Sequence, residues 1–163
     1  AKDVVDEFGS KIKFILDGGQ CQVGLESTII DLTKKPVVLR PGSITVEKIQ
    51  KVLKRKIKIG KNLKKIKSPG QLKFHYSPGI PVKMDKKYPE KKQAFIGFGK
   101  KCKKGKNYFN LSKNGSLKEA ANNLYKIMRT IKKKKFKSIA VSKIPQFGLG
   151  RAINDRLIKA SNK

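Results

Sequence analysis

The stretch Ser116-Leu-Lys-Glu-Ala-Ala-Asn-Asn-Leu-Tyr-Lys-Ile-Met-Arg-Thr-Ile131 decides the fold of the second half of the chain. Ser116 followed by Glu119 is a capping-box start, in which each side chain can serve the other's unpaired backbone N–H. Behind it Leu117, Ala120, Ala121, Leu124, Ile127, Met128 and Ile131 recur at steps of three and four, the spacing of one helix face. The apolar runs around it are short. Ala94-Phe-Ile-Gly-Phe98 and Asn107-Tyr-Phe-Asn-Leu111 precede it, and Ser138-Ile-Ala-Val141 follows. Gly148-Leu149-Gly150 opens a last helix containing Ala152, Ile153, Leu157 and Ile158. Strands alternating with helices predict an α/β unit with a mostly parallel sheet.

Upstream, Ser68-Pro69-Gly70 and Ser77-Pro78-Gly79 bracket Gln71-Leu-Lys-Phe-His-Tyr76. Residues before proline avoid the helical region, so this segment reads as an extended linker. Before it, Thr45 can cap a helix over roughly 46–54, with Val46, Ile49, Val52 and Leu53 at helical spacing. Ser27-Thr-Ile-Ile-Asp-Leu-Thr33 and Pro36-Val-Val-Leu-Arg40 flank Lys34-Lys35, which predicts a hairpin. Lys11-Ile-Lys-Phe-Ile-Leu16 alternates and then turns apolar, which predicts a strand running into the turn Asp17-Gly18-Gly19. Residues 1–8 read as the end of a helix stopped by Gly9.

At 163 residues the chain fits one ordinary domain or two small ones. Hydrophobic residues make up 37% and charged residues 32%, which excludes collagen-like and disulfide-rich chains and argues against wholesale disorder. No apolar run approaches the roughly 18 residues that span a bilayer. Cys21 and Cys102 lie far apart and match no metal spacing. A soluble protein of a reducing compartment, the cytoplasm, is expected.

The net charge is +30, carried by 36 Lys and only 5 Arg. Two readings stand. Compositional drift toward Lys at exposed positions is one; the other is a genuine preference for polyanions such as tRNA or double-stranded RNA.

Three segments can carry chemistry. Asp17-Gly-Gly-Gln-Cys-Gln-Val-Gly-Leu-Glu-Ser-Thr28 sets Ser27 and Thr28 at the start of a strand after a glycine-rich loop. It is either an ordinary polar turn or a place where backbone meets a ligand closely. It has neither the Walker ending nor the dinucleotide spacing. In Leu39-Arg40-Pro41-Gly42, proline holds Arg40 extended, ready to fork onto a phosphate or carboxylate, or else to snorkel from a sheet edge. In a background drifting toward Lys, an idle Arg should have been replaced. His75-Tyr76, with the chain's one histidine, sits in the linker as either a satisfied polar residue or part of a lid. No second His, cysteine cluster or carboxylate pair accompanies it, so protein-bound zinc and Ser-His-Asp chemistry are not expected.

Taken together, Asp17-Gly-Gly-x-Cys-x-Val-Gly-x-Glu-Ser-Thr-Ile-Ile-Asp31, Leu39-Arg-Pro-Gly-Ser-Ile-Thr45 and Ser68-Pro-Gly-(four residues)-His-Tyr-Ser-Pro78 resemble the two-domain threonylcarbamoyl-AMP synthase family. Asn110-Leu-Ser112, Gly115-Ser-Leu-Lys-Glu-Ala-Ala121 and Gly148-Leu-Gly-Arg-Ala-Ile-Asn-Asp-Arg-Leu157 resemble its second domain. The resemblance implies a partial YrdC-like twisted mixed sheet over residues 1–55, a linker or lid over 56–80, and a small Rossmann-like parallel-sheet domain over 81–163. It further implies a nucleotidyltransferase that turns L-threonine, bicarbonate and ATP, with Mg2+, into L-threonylcarbamoyl-AMP and pyrophosphate. Other tRNA threonylcarbamoylation proteins would use that product to modify a tRNA adenosine. By motif, Ser27 and Thr28 would contact threonine, while Arg40, His75 and Tyr76 would contact the nucleotide.

The family's Lys-x-Arg phosphate-binding element is absent from the sequence. The chain is therefore expected to be the C-terminal portion of a longer enzyme and inactive alone. The competing expectation is a non-catalytic module that binds RNA or a regulatory nucleotide.

Overall fold

The computed structural model describes residues 1–19, 21–60, 68–70 and 77–162. The first helix, α1 (Lys2–Phe8), stops at Gly9, whose φ of 51° lies in the left-handed region that glycine tolerates. The strand predicted over 11–16 does not form. Residues 12–19 carry no regular structure, and Phe14 and Leu16 are 87% and 97% exposed. A strand exists only by pairing, and no described strand pairs with this segment.

The predicted hairpin is present. Strand β1 (Ile29–Asp31) runs antiparallel to β2 (Val37–Arg40), with a bulge between Ile29 and Ile30. The Asp31 carboxylate accepts from the Thr33 backbone N–H at 2.9 Å and from its hydroxyl at 2.6 Å, which shapes the turn. Helix α2 (Val46–Leu53) begins where Thr45 Oγ1 accepts from the Lys48 N–H. It returns the chain to β3 (Lys58–Ile59), parallel to β2. Val38, Val46, Ile49 and Ile57 form a small core here, with Leu53 packed against it. Val52, expected on that face, is 83% exposed. At about 100° per residue, six positions beyond Val46 point well away from the 46/49/53 line.

The second sheet is wholly parallel. It contains β4 (Val82–Lys83), β5 (Gln93–Gly97), β6 (Tyr108–Asn110) and β7 (Ser138–Val141) in the order β4-β7-β5-β6. Helix α3 (Leu117–Lys133) links β6 to β7, and α4 (Leu149–Ser161) follows β7. The larger core gathers Ala94, Ile96, Leu124, Ile131, Ile139 and Leu157 between sheet and helices. Mixed sheet and parallel sheet match the fold class expected from the sequence.

The cap of α3 is more elaborate than the sequence pattern. Ser116 Oγ accepts from the Glu119 N–H at 3.3 Å, but the Glu119 carboxylate accepts from the Ser112 hydroxyl at 2.6 Å. Ser112 Oγ in turn accepts from the Ser116 N–H at 2.9 Å, so a third residue relays the return leg. Ser116→Ala is expected to cost about 1 kcal/mol, read as a lower urea midpoint at unchanged slope.

Candidate ligand-binding site and its anchor

Past the ends of β1 and β2 the two strands stay close. The Ser43 N–H donates to the Glu26 carbonyl at 3.0 Å. A Cβ at Gly42 would collide with the Glu26 carbonyl oxygen and the Ser27 carbonyl group, so only glycine allows this approach.

That contact sets Ser27 against Arg40. The Arg40 side chain is 8% exposed. Its Nε donates to the Ser27 carbonyl and its Nη2 to Ser27 Oγ, both at 3.2 Å. Nη1 donates to the Pro69 carbonyl at 3.4 Å, a long bond that brings the Ser68–Gly70 turn to the same guanidinium. All these acceptors are neutral oxygens, so the positive charge is oriented without being neutralised by them. An anion in this place would meet a fixed cation and the exposed Ser27 hydroxyl.

The other site residues differ. Thr28 Oγ1 donates to the Ile44 carbonyl at 2.5 Å and accepts from the Ile44 N–H at 3.2 Å, which makes Thr28 a brace for the 41–45 loop. His75 and Tyr76 lie outside the described residues. Burial raises the pKa of the Cys102 thiol, opposite to an activated nucleophile. Among the described residues no group of three His, Cys, Asp or Glu is placed to hold a metal ion. Nor is any helix of the described residues long and apolar enough to cross a membrane.

Sequence reading missed what stands behind the hairpin. The Glu26 carboxylate accepts from Tyr125 Oη of α3 at 2.9 Å and from Arg156 Nε of α4 at 2.9 Å. Arg156 Nη2 also donates to the Pro41 carbonyl at 3.0 Å. Nearby, Glu47 Oε1 accepts from the Gly148 N–H at 3.2 Å and Arg151 Nε at 3.1 Å. A Cβ at Gly24 would stand 2.8 Å from Asn122 Cα, so the 24–26 loop lies directly on α3. Arginine scarcity was the available signal: Arg151 and Arg156 are two of five, and the argument applied to Arg40 applies to them equally.

Burial pushes the Glu26 carboxyl up, but its own backbone N–H, the Arg156 guanidinium and the Tyr125 hydroxyl outweigh this and hold it below the ordinary 4.5. For Glu47 burial also acts upward, and the backbone N–H groups and Arg151 outweigh it. Folded-state values below the unfolded ones give stability that is present above the ordinary carboxylate range and lost as pH falls through the lowered values. Urea midpoints should therefore fall on acidification from neutrality toward pH ~3. Glu26→Gln should flatten that dependence.

Comparison with known proteins agrees with this architecture. The family model for the threonylcarbamoyl-AMP synthase C-terminal domain matches residues 44–162, and a model described as telomere recombination matches residues 1–42. The threonylcarbamoyl-AMP synthase of Pyrococcus abyssi is 34% identical over 180 aligned positions, covering 99% of this chain and 53% of that protein. The Bacillus subtilis protein of the same name is 31% identical, covering 99% and 52%. The crystal structure of P. abyssi Sua5 complexed with L-threonine superposes with a TM-score of 0.82 at 31% identity, over 99% of this chain and 53% of that one. A variant of the same protein with a histidine and a tyrosine replaced by alanine gives a TM-score of 0.75 at 29% identity, over 97% and 51%. The chain thus spans about half the length of the relatives it matches. By the match over residues 44–162, it belongs to the threonylcarbamoyl-AMP synthase family.

Proposed function

We propose that this chain carries the C-terminal share of an L-threonylcarbamoyladenylate synthase. Ser27 and Thr28 contact L-threonine, and Arg40, His75 and Tyr76 the nucleotide, with Thr28 also bracing the 41–45 loop. One observation carries the reading. Arg40 is held on neutral oxygens of Ser27 and Pro69, so loop, strand end and linker converge on one oriented cation.

The chemistry suits that arrangement. Threonine's amino group and bicarbonate combine to a carbamate with loss of water. A carbamate oxygen then attacks the α-phosphorus of ATP, and pyrophosphate leaves. Charge shifts among phosphoryl oxygens throughout, so fixed donors, rather than a covalent nucleophile, supply the stabilisation. Magnesium enters with ATP as the MgATP substrate. The donor set around Arg40 suits the anionic part of that substrate, not the bare cation.

Two separate hydrophobic clusters, one under each sheet, support a division into two units, but Ile57 and β3 belong to the first of them, so that unit runs to about residue 59 and the linker starts after it rather than at 56. Cytoplasmic residence and delivery of the product to tRNA-modifying proteins follow from the same reading. Contact with tRNA is favoured by the charge of +30 and by a cleft of about 440 Å³ lined by Lys100, Lys103, Lys104 and Lys113. That cleft also favours the second reading, a non-catalytic RNA- or nucleotide-binding module. A steep loss of tRNA affinity with salt, without threonine-dependent turnover, would single it out.

The test is threonine- and bicarbonate-dependent pyrophosphate release by the full-length protein. Arg40→Ala is expected to lower it by about 10²-fold or more, as loss of an oriented donor does elsewhere. Arg40→Lys should not restore it, because an ammonium cannot hold the Ser27 carbonyl, Ser27 Oγ and Pro69 together. The 163-residue chain alone is expected to be inactive. Unchanged turnover in Arg40→Ala would remove the assignment.

A further inference from the structure

Arg156 grips the chain one residue from Ser27 and one residue from Arg40. Its Nε holds Glu26, the residue before Ser27, and its Nη2 holds the carbonyl of Pro41, the residue after Arg40. The third nitrogen, Nη1, donates to Asp155 Oδ2 at 2.5 Å, and Asp155 is itself paired with Lys159 at 2.8 Å. Tyr125 of α3 completes the hold on Glu26 at 2.9 Å.

Two physical points make this more than glue. Glu26 is drawn toward α3 and α4, while the adjacent Ser27 stays exposed with its hydroxyl on Arg40, so the hold on one residue fixes the backbone of the next. Secondly, Arg156 is fully buried, and a buried ion pair is costly enough that a well-packed pair of apolar residues often serves stability equally well. A planar fork spanning two separate chain segments is what neither an apolar side chain nor a lysine can offer. The chain keeps one of its five arginines here.

We propose that Arg156, acting through Glu26 and the Pro41 carbonyl with Tyr125 as a second hold on Glu26, is a positioning residue for the Ser27–Arg40 site, so that the C-terminal unit sets the geometry in which threonine is bound. This rests on the assignment of Ser27 to threonine. The unit built on the parallel sheet is then a working part of the ligand site.

The experiment uses the full-length protein, with threonine affinity from calorimetry, KM and kcat for threonine, and melting temperature. Arg156→Lys keeps the charge but not the fork, and should weaken threonine binding by about tenfold, the scale on which small misplacements act. Tyr125→Phe removes one hydroxyl and leaves the ring, so it tests the same link without risk to the core. It should weaken binding by about threefold, with KM rising more than kcat falls. Combined with Glu26→Gln, the Arg156→Lys loss should be less than additive. A lower melting temperature with unchanged threonine affinity in both variants would reduce Arg156 to a structural tie and overturn the proposal. Ser27→Ala is the control. If it leaves threonine affinity unchanged, the site assignment fails and the proposal with it. If Ser27→Ala weakens binding while Arg156→Lys and Tyr125→Phe do not, the positioning role alone fails.

Discussion

Arg156→Met should destabilise the folded chain by about 3 kcal/mol, near the lower end of what breaking a buried ion pair costs. The substitution keeps volume and apolar contact on α4 but removes the partner of Glu26 Oε2 and the donor to the Pro41 carbonyl. Glu26 is 33% exposed, so water recovers part of the loss on that side, which places the effect below the full range. The measurement is urea unfolding followed by both far-ultraviolet dichroism and tyrosine fluorescence. Adding Glu26→Gln should recover part of the loss, because the uncompensated carboxylate is then gone. A change under about 0.5 kcal/mol, ordinary for a surface site, would show that the two sheets hold together without this pair.

Gly42→Ala is the second large effect, and it separates function from stability. The added methyl meets the Glu26 carbonyl oxygen and the Ser27 carbonyl group, both backbone, so no rotamer change relieves it. The strands must part near Ser27. Overpacking of this kind costs about 1–3 kcal/mol, and opening the strands also breaks the Ser43-to-Glu26 bond. The larger consequence is geometric, because Arg40 loses both of its 3.2 Å contacts to Ser27. Threonine-dependent turnover of the full-length protein should fall by about 10²-fold, as for a misplaced catalytic geometry, while the protein stays folded at low temperature. Near-normal turnover would mean that the loop absorbs the methyl elsewhere.

Much of the second unit was legible because its signals are local. The α3 period, the Ser116 cap and the apolar run at Ser138–Val141 all act within a few residues of one another. The Ser27–Arg40 hairpin was legible for the same reason, turn chemistry between two β-rich runs. Failures occurred where partners decide. Residues 11–16 alternate like a strand but pair with nothing described, and β3 and β4, of two residues each, exist only through their neighbours. Ser112 diverted the Glu119 carboxylate because a β6–α3 turn happened to bring its hydroxyl within reach. The Glu26–Arg156 link joins residues 130 positions apart, and no periodicity speaks across that separation. Only the rarity of arginine marked it.

That same separation governs how the protein comes into being. Residues 24–42 are made well before Arg156, which lies 130 positions beyond Glu26, so the β1–β2 hairpin waits with Glu26 still without its buried partner. If Arg156 has the positioning role proposed above, the Ser27–Arg40 geometry is complete only once α4 has docked, which slows its assembly as distant contacts do. A message cut short before α4 would then yield a polypeptide with the motif intact but without its Arg156 hold, and exposed to proteases.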